Sequence, residues 1–513
     1  MKPNRRTVLK QGIGLLAASA GAVHVSAAGQ SKFPYEEYIK YDGLGLADLV
    51  KRGKVTAREL LDTAIERIRA VNSKINAVVG DQEDQERLFD LARKEIKRGL
   101  PAGPFEGVPF LVKDLGFPMK GVPCRQGCKL YEDYVPESDG PVVRKFKKAG
   151  LVLFARTATP ALGALPTTES ILTGATSTPW DLDRNAGGSS GGTAAAVAAG
   201  IAPAGSGTDA GGSIRIPASC CGVFGLKPSR ERVPFGLEMM GNLATIHALT
   251  RSVRDSAALL DAISYNVRGS TIEPPRNRQP FIVQMKEKPR RLKIALATDS
   301  ALSDGVHQDC QEAARRAGRL CEQIGHHVED VTSRYCGMLS WEELRDNWFI
   351  VAGAGGALTI DQRLKTLGRE LQEDDIEPAN RASYEQGKKS LATELARARQ
   401  FLHDTALLLG EFHQEYDVLL TPTLGQPPVE NGLLTAKQVN DDAQIQKFID
   451  FNAFCILANA TGQPAMSVPL FWTDDGLPIG VQFIGRYAEE ATLFRLAAEL
   501  EELCPWKDRW PKL

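Results

Sequence analysis

Histidine is scarce in this chain and missing from the stretches where chemistry would use it. Seven of 513 residues are His, at 24, 247, 307, 326, 327, 403 and 413, and none lies in a glycine-rich turn. No local motif therefore spells a serine–histidine arrangement, although folding can bring in a distant His. No His accompanies Cys at metal-ligand spacing, since His326-His327 has no Cys pair nearby, so neither metal nor cofactor is expected. Long hydrophobic runs are also lacking. The run Ile13 to Ala22 reaches roughly half of the ~20 residues a spanning helix needs, which argues against stable membrane insertion. Neither sign of charge prevails: Lys+Arg 62 against Asp+Glu 63 leaves a net charge of -1, with no basic face for nucleic acid. The expected partner is a small molecule.

No Pro/Ser-rich linker, repeat or charge block divides the chain, and 43% hydrophobic content supports a sizeable core, so residues 29–513 read as one large domain. Residues 1–28 read instead as an export signal. Lys2, Arg5, Arg6 and Lys10 make a basic start, Val25-Ser26-Ala27 is a small-residue cleavage site, and no acid precedes Glu36. Asn4-Arg5-Arg6-Thr7-Val8-Leu9-Lys10 resembles the twin-arginine signal of bacteria, which implies a periplasmic destination. The competing reading is an uncleaved amphipathic tail. A periplasmic address permits disulfides without requiring them. Nine cysteines are an odd number. Cys124 and Cys128 share one short loop and either pair or sit free, whereas Cys220 and Cys221 read as small buried hydrophobes.

What the chain does have is concentrated between Gly187 and Pro228. Two small-residue turns, Gly187-Gly188-Ser189-Ser190-Gly191-Gly192 and Gly211-Gly212-Ser213-Ile214-Arg215, flank a short helix former, Thr193 to Ala199, and an apolar run, Ile201 to Ala204, that reads as a buried strand. A flexible linker would not be interrupted in this way. Glycines beside a serine let a substrate approach backbone N–H groups closely, which acyl transfer requires. Alone, Ser189 reads as a helix N-cap and Lys113 as a strand-end lysine reaching solvent.

The stretch resembles the amidase signature enzymes. Gly207-Thr208-Asp209-Ala210-Gly211-Gly212-Ser213-Ile214-Arg215-Ile216-Pro217-Ala218 and Gly222 to Pro228 follow that family's pattern, Ser213 stands 24 positions after Ser189, and Gly107 to Asp114 supplies a lysine after an apolar strand. The resemblance covers nearly the whole chain after the leader. It implies Ser213 as nucleophile, Ser189 on a cis peptide as proton relay, and Lys113 as base. It also implies the N–H groups of Ala210, Gly211, Gly212 and Ser213 as oxyanion donors. Asp209 and Arg215 are then expected to hold the turn, with Thr208 and Ser190 as supporting hydrogen-bond partners. A lysine serves as base only where burial lowers its pKa, because the neutral amine takes the proton.

Strand and helix patterns alternate along the chain, which predicts an α/β fold, a central mixed β-sheet with helices on both faces. A capping box at Thr56 and Glu59 opens one helix, another runs from about Glu83 to Lys97, and strands are predicted at 151–155, 292–297, 416–423, 465–469 and 479–485. The resemblance implies hydrolysis of the C–N bond of a small or medium carboxamide, anilide or carbamate. The general pattern is also similar to the 6-aminohexanoate cyclic dimer hydrolases, which adds cyclic and linear amide oligomers. Thr157-Ala158-Thr159-Pro160-Ala161-Leu162-Gly163 carries alanines where relatives have Asn and Glu, predicting a less polar wall. Phe235, Met239, Met240, Leu243 and Ile246 form either an apolar acyl pocket or part of the core. Two alternatives remain: a glutamine-hydrolysing subunit of a tRNA-dependent amidotransferase, which the export signal opposes, and a non-catalytic binding protein, which would be expected to lose Lys113, Ser189 or Ser213. Family relatives are often homodimers, and no interface signature is visible.

Overall fold

Strands rich in apolar residues and buried at every position demand cover on both faces, and the centre of this molecule is built that way. The structure, a computed structural model, describes residues 33–513 apart from 235–241, 268, 271, 289 and 438–440. The expected export signal, Phe235, Met239 and Met240 lie outside the described residues. Eleven described strands join one mixed sheet: β1 (Val78–Val79), β2 (Pro109–Lys113), β3 (Val152–Thr157), β4 (Ala204–Asp209), β5 (Phe224–Lys227), β6 (Thr245–Thr250), β7 (Lys293–Leu296), β8 (His327–Asp330), β9 (Val418–Pro422), β10 (Ala465–Trp472) and β11 (Pro478–Gly485). Their order is β1-β3-β2-β4-β6-β5-β10-β11-β9-β7-β8. The ladders β3-β2-β4 and β9-β7-β8 are parallel, and the stretch from β4 through β6, β5, β10 and β11 to β9 is antiparallel.

Local chemistry explains the element ends. Thr56 accepts from the Glu59 N–H while the Glu59 carboxylate takes the Thr56 N–H, opening the helix Ala57–Ile75 as its capping box predicts. The helix Gln82–Arg98 stops at Gly99. One sequence expectation is corrected. The strand anticipated at Ile201–Ala204 begins only at Ala204 and continues through Gly205-Ser206-Gly207-Thr208-Asp209, residues of poor strand propensity. Packing overrides propensity here: a Cβ on Gly205 would stand 2.6 Å from Thr193 Cγ2 and 2.8 Å from Leu111 Cβ, so glycine lets the helix Gly191–Ala198 and strand β2 close on β4. That helix is buried along its whole length and is tied down by Thr193, whose hydroxyl meets the Ser206 carbonyl at 3.0 Å and Thr157 Oγ1 at 2.6 Å.

The sheet order has one result that matters for function. Strand β4 carries the second glycine turn at its C-terminal end, β2 beside it ends in Lys113, and the first turn opens the helix Gly191–Ala198 packed across both. Three segments separated by up to a hundred residues thus end at one place.

Candidate active site

Lys113 is the last residue of β2 and has no exposed surface. Its Nζ donates to Ser189 Oγ at 2.7 Å and to Thr208 Oγ1 at 2.9 Å, and its backbone N–H donates to Ser206 Oγ at 2.9 Å. No carboxylate contacts the amine. Burial therefore dominates and pulls the ammonium down from its ordinary 10.5 to about 7, against a smaller upward pull from the Asp209 carboxylate. The peptide Gly188–Ser189 is cis. Ser190 donates its N–H to the Ser213 carbonyl at 3.2 Å, which joins the two glycine turns, and its hydroxyl bridges the backbone of Thr208.

Ser213 is half-buried and precedes the helix Arg215–Cys221. The turn that presents it is held from inside by Asp209. Oδ1 accepts from the Gly212 N–H at 2.8 Å and Oδ2 from the Ile214 N–H at 3.1 Å, while Arg215 pairs with both oxygens at 2.9 and 3.0 Å. Burial alone would raise the Asp209 pKa, but the guanidinium overcomes it and holds the carboxylate ionised. The Gly212 N–H, one of the expected oxyanion donors, is held by Asp209 in this structure. Among the described residues no hydrogen bond takes up the N–H groups of Ala210, Gly211 or Ser213. Gly212 has φ +121°, and a Cβ there would stand 2.7 Å from Cys455 Cβ and Ile216 Cδ1.

Several residues around the turn leave no signal in the sequence because they come from the C-terminal half. All five N–H groups of Arg215 are engaged: Nε and one Nη2 on Asp209, the other Nη2 on Asn459 Oδ1 at 2.5 Å, and Nη1 on the Cys455 carbonyl at 2.9 Å and Gln482 Oε1 at 2.7 Å. Asn452 Nδ2 donates to the Gly211 carbonyl at 2.8 Å, and Trp348 Nε1 to the Ala210 carbonyl at 3.2 Å. The Trp348 ring also covers Gly211, where a Cβ would meet Cζ2 at 2.9 Å. Lys227, fully buried, gives its Nζ to the Pro228 carbonyl at 2.9 Å.

Gly163 lies beside Ser189, a Cβ there falling 3.2 Å from Oγ, and Ala161 and Leu162 pack with Cys128, Leu130 and Tyr131 against Ala357 and Ile360 of the helix Trp341–Leu367. Leu243 and Ile246 are buried in the core, Ile246 within β6. Cys124 and Cys128 are free thiols, both buried. Among the described residues no histidine contacts Ser189 or Ser213. His247 is buried in β6 with its Nε2 on Ser256 Oγ at 2.8 Å, and burial lowers its pKa to about 3. No group of metal-ligating side chains is found among the described residues.

Known proteins resemble the chain along most of its length. A family model described as Amidase matches residues 59–494. The chain is 35% identical over 486 residues to the 6-aminohexanoate-cyclic-dimer hydrolase of Paenarthrobacter ureafaciens, a match spanning 92% of this chain and 96% of that one. A solved structure of 6-aminohexanoate cyclic dimer hydrolase complexed with substrate is similar with a TM-score of 0.85 at 33% identity, over 92% of this chain and 99% of that chain. A bacterial aryl acylamidase of the amidase signature enzymes gives 0.79 at 27% identity, over 91% and 96%.

Proposed function

The chain belongs to the amidase family, hydrolases that cleave the C–N bond of amides, and from that premise we propose that Ser213 is its nucleophile, Ser189 its proton relay and Lys113 its base. A serine hydroxyl must lose its proton as it attacks, and a lysine can take it only while neutral. The observation that carries the reading is the fully buried Lys113 amine, 2.7 Å from Ser189 Oγ and unpaired with any acid.

In the proposed reaction Ser213 Oγ adds to the amide carbonyl. Its proton passes to Ser189, whose own proton passes to Lys113. The oxyanion rests on the N–H groups that the turn leaves open, those of Ala210, Gly211 and Ser213. Collapse expels the amine, which receives the proton back from Lys113 through Ser189. Water then attacks the acyl-serine, again with Lys113 as base, and releases the carboxylate. The cyclic-dimer hydrolase of Paenarthrobacter ureafaciens makes cyclic amide dimers the first compounds to try, beside linear amide oligomers, anilides and carbamates.

Labelling with a fluorophosphonate, followed by a panel of amides, anilides, carbamates and esters, tests the assignment. Labelling is expected to vanish in Ser213→Ala, and turnover to fall by about 10²–10⁴ in Lys113→Ala. Labelling that persists without Ser213 overturns it. We further propose that residues 1–28 direct export to the periplasm and that the chain forms homodimers. Cell fractionation of the full chain beside an Arg5→Lys, Arg6→Lys variant tests the first, and the mass in solution tests the second.

A further inference from the structure

Asn459 sits on the short helix Ile456–Thr461, far along the chain from both glycine turns, and is 1% exposed. Its carboxamide joins both members of the ion pair beneath Ser213. Nδ2 donates to Asp209 Oδ1 at 2.9 Å, to the Asp209 carbonyl at 3.1 Å and to the Leu243 carbonyl at 3.4 Å, while Oδ1 accepts from Arg215 Nη2. The same helix offers Arg215 the carbonyl of its N-cap residue, Cys455. Asp209 Oδ1 in turn holds the Gly212 N–H, two bonds of the chain away from the nucleophile's own peptide.

We propose that Asn459 is a positioning residue for the reaction: acting through Asp209 and Arg215, it sets the backbone of the Gly211–Ser213 turn without touching substrate. This rests on the reading of Ser213 as nucleophile. An aspartate at 459 has the same shape but turns an oxygen toward the Asp209 carboxylate where a donor stood. The carboxylate must then move or exchange partners, and the Gly212 and Ile214 N–H groups move with it. A displacement of about 1 Å at a reacting group costs on the order of 10²-fold in rate.

The purified full-length enzyme and its variants Asn459→Asp, Asp209→Asn and the double exchange D209N/N459D test this. The readouts are the rate of fluorophosphonate labelling at Ser213, kcat and KM on an anilide the wild type hydrolyses, and cooperative thermal unfolding. Asn459→Asp is expected to lower the labelling rate and kcat by about 10²-fold with KM little changed. D209N/N459D restores the total charge beneath the turn, and is expected to regain about tenfold over N459D because the two positions are coupled. A folded N459D that labels at the wild-type rate, or a double variant whose losses simply multiply, overturns the proposal. Should N459D fail to fold, Asn459→Ser carries the labelling comparison with the same overturning outcome. Wild-type labelling at a residue other than Ser213 would instead overturn the nucleophile assignment.

Discussion

Burial holds the Lys113 amine near neutrality, and the pH dependence of turnover follows with its sign. Below about 7 the group is an ammonium and cannot take a proton from Ser189; above it the neutral amine prevails. The plot of log kcat/KM against pH is therefore expected to rise with unit slope at acid pH and level off past about 7, as initial rates on a neutral amide will show. A flat profile from pH 5 to 9 would remove Lys113 as the base. Arg215 makes a second case. It has no exposed surface and faces Asp209 across a bidentate pair, so Arg215→Met strands a buried carboxylate. Removing one partner of such a pair costs about 3–5 kcal/mol, and a chemical unfolding curve should register that loss. Lys113, Ser189 and Ser213 are legible in the sequence because each stands in a dense local pattern of glycines or apolar residues. Asn459 is not. Nothing in Ile456-Leu457-Ala458-Asn459-Ala460-Thr461 sets that asparagine apart, and its partners Asp209 and Arg215 are more than 240 residues away.

Helices and strands carry the site through close approach rather than through caps. The helix Gly191–Ala198 rests on β2 and β4 because Gly205 and a run of alanines leave room, and Ser189 and Ser190 stand at its start. Gly205→Ala inserts a methyl against Thr193 and Leu111. The expected result is a loss of about 1–3 kcal/mol in a urea unfolding transition. Turnover should fall as well, since the helix start moves relative to Lys113; unchanged activity at lower stability would show that the two are independent. The same packing explains what periodicity misses in β4. A strand of Gly, Ser, Thr and Asp has no alternation to read, and only its neighbours in the sheet define it. Elements with ordinary patterns, such as the helix Gln82–Arg98, expected from about Glu83 to Lys97, are legible to within a residue.

Across the whole molecule the sheet joins early and late segments at the β5–β10 ladder, where Lys227 faces Ala465. Neither side can complete the site alone, because Asp209 and Arg215 from one side take their remaining partners, Asn459, Gln482 and the Cys455 carbonyl, from the other. Fluorophosphonate labelling during a thermal ramp is accordingly expected to disappear together with the sheet signal in circular dichroism; labelling lost well before it would mark the late segments as separately folding. The full engagement of Arg215 has a last consequence, for the end of the catalytic cycle. Hydrolysis leaves an anionic acid in a site whose guanidinium has no N–H to spare and whose lysine is mostly uncharged above pH 7. Neither of these cations is free to grip a carboxylate, which is left only the open N–H groups of the turn, so the acid product should inhibit weakly, and the cycle should run on without being choked by what it makes.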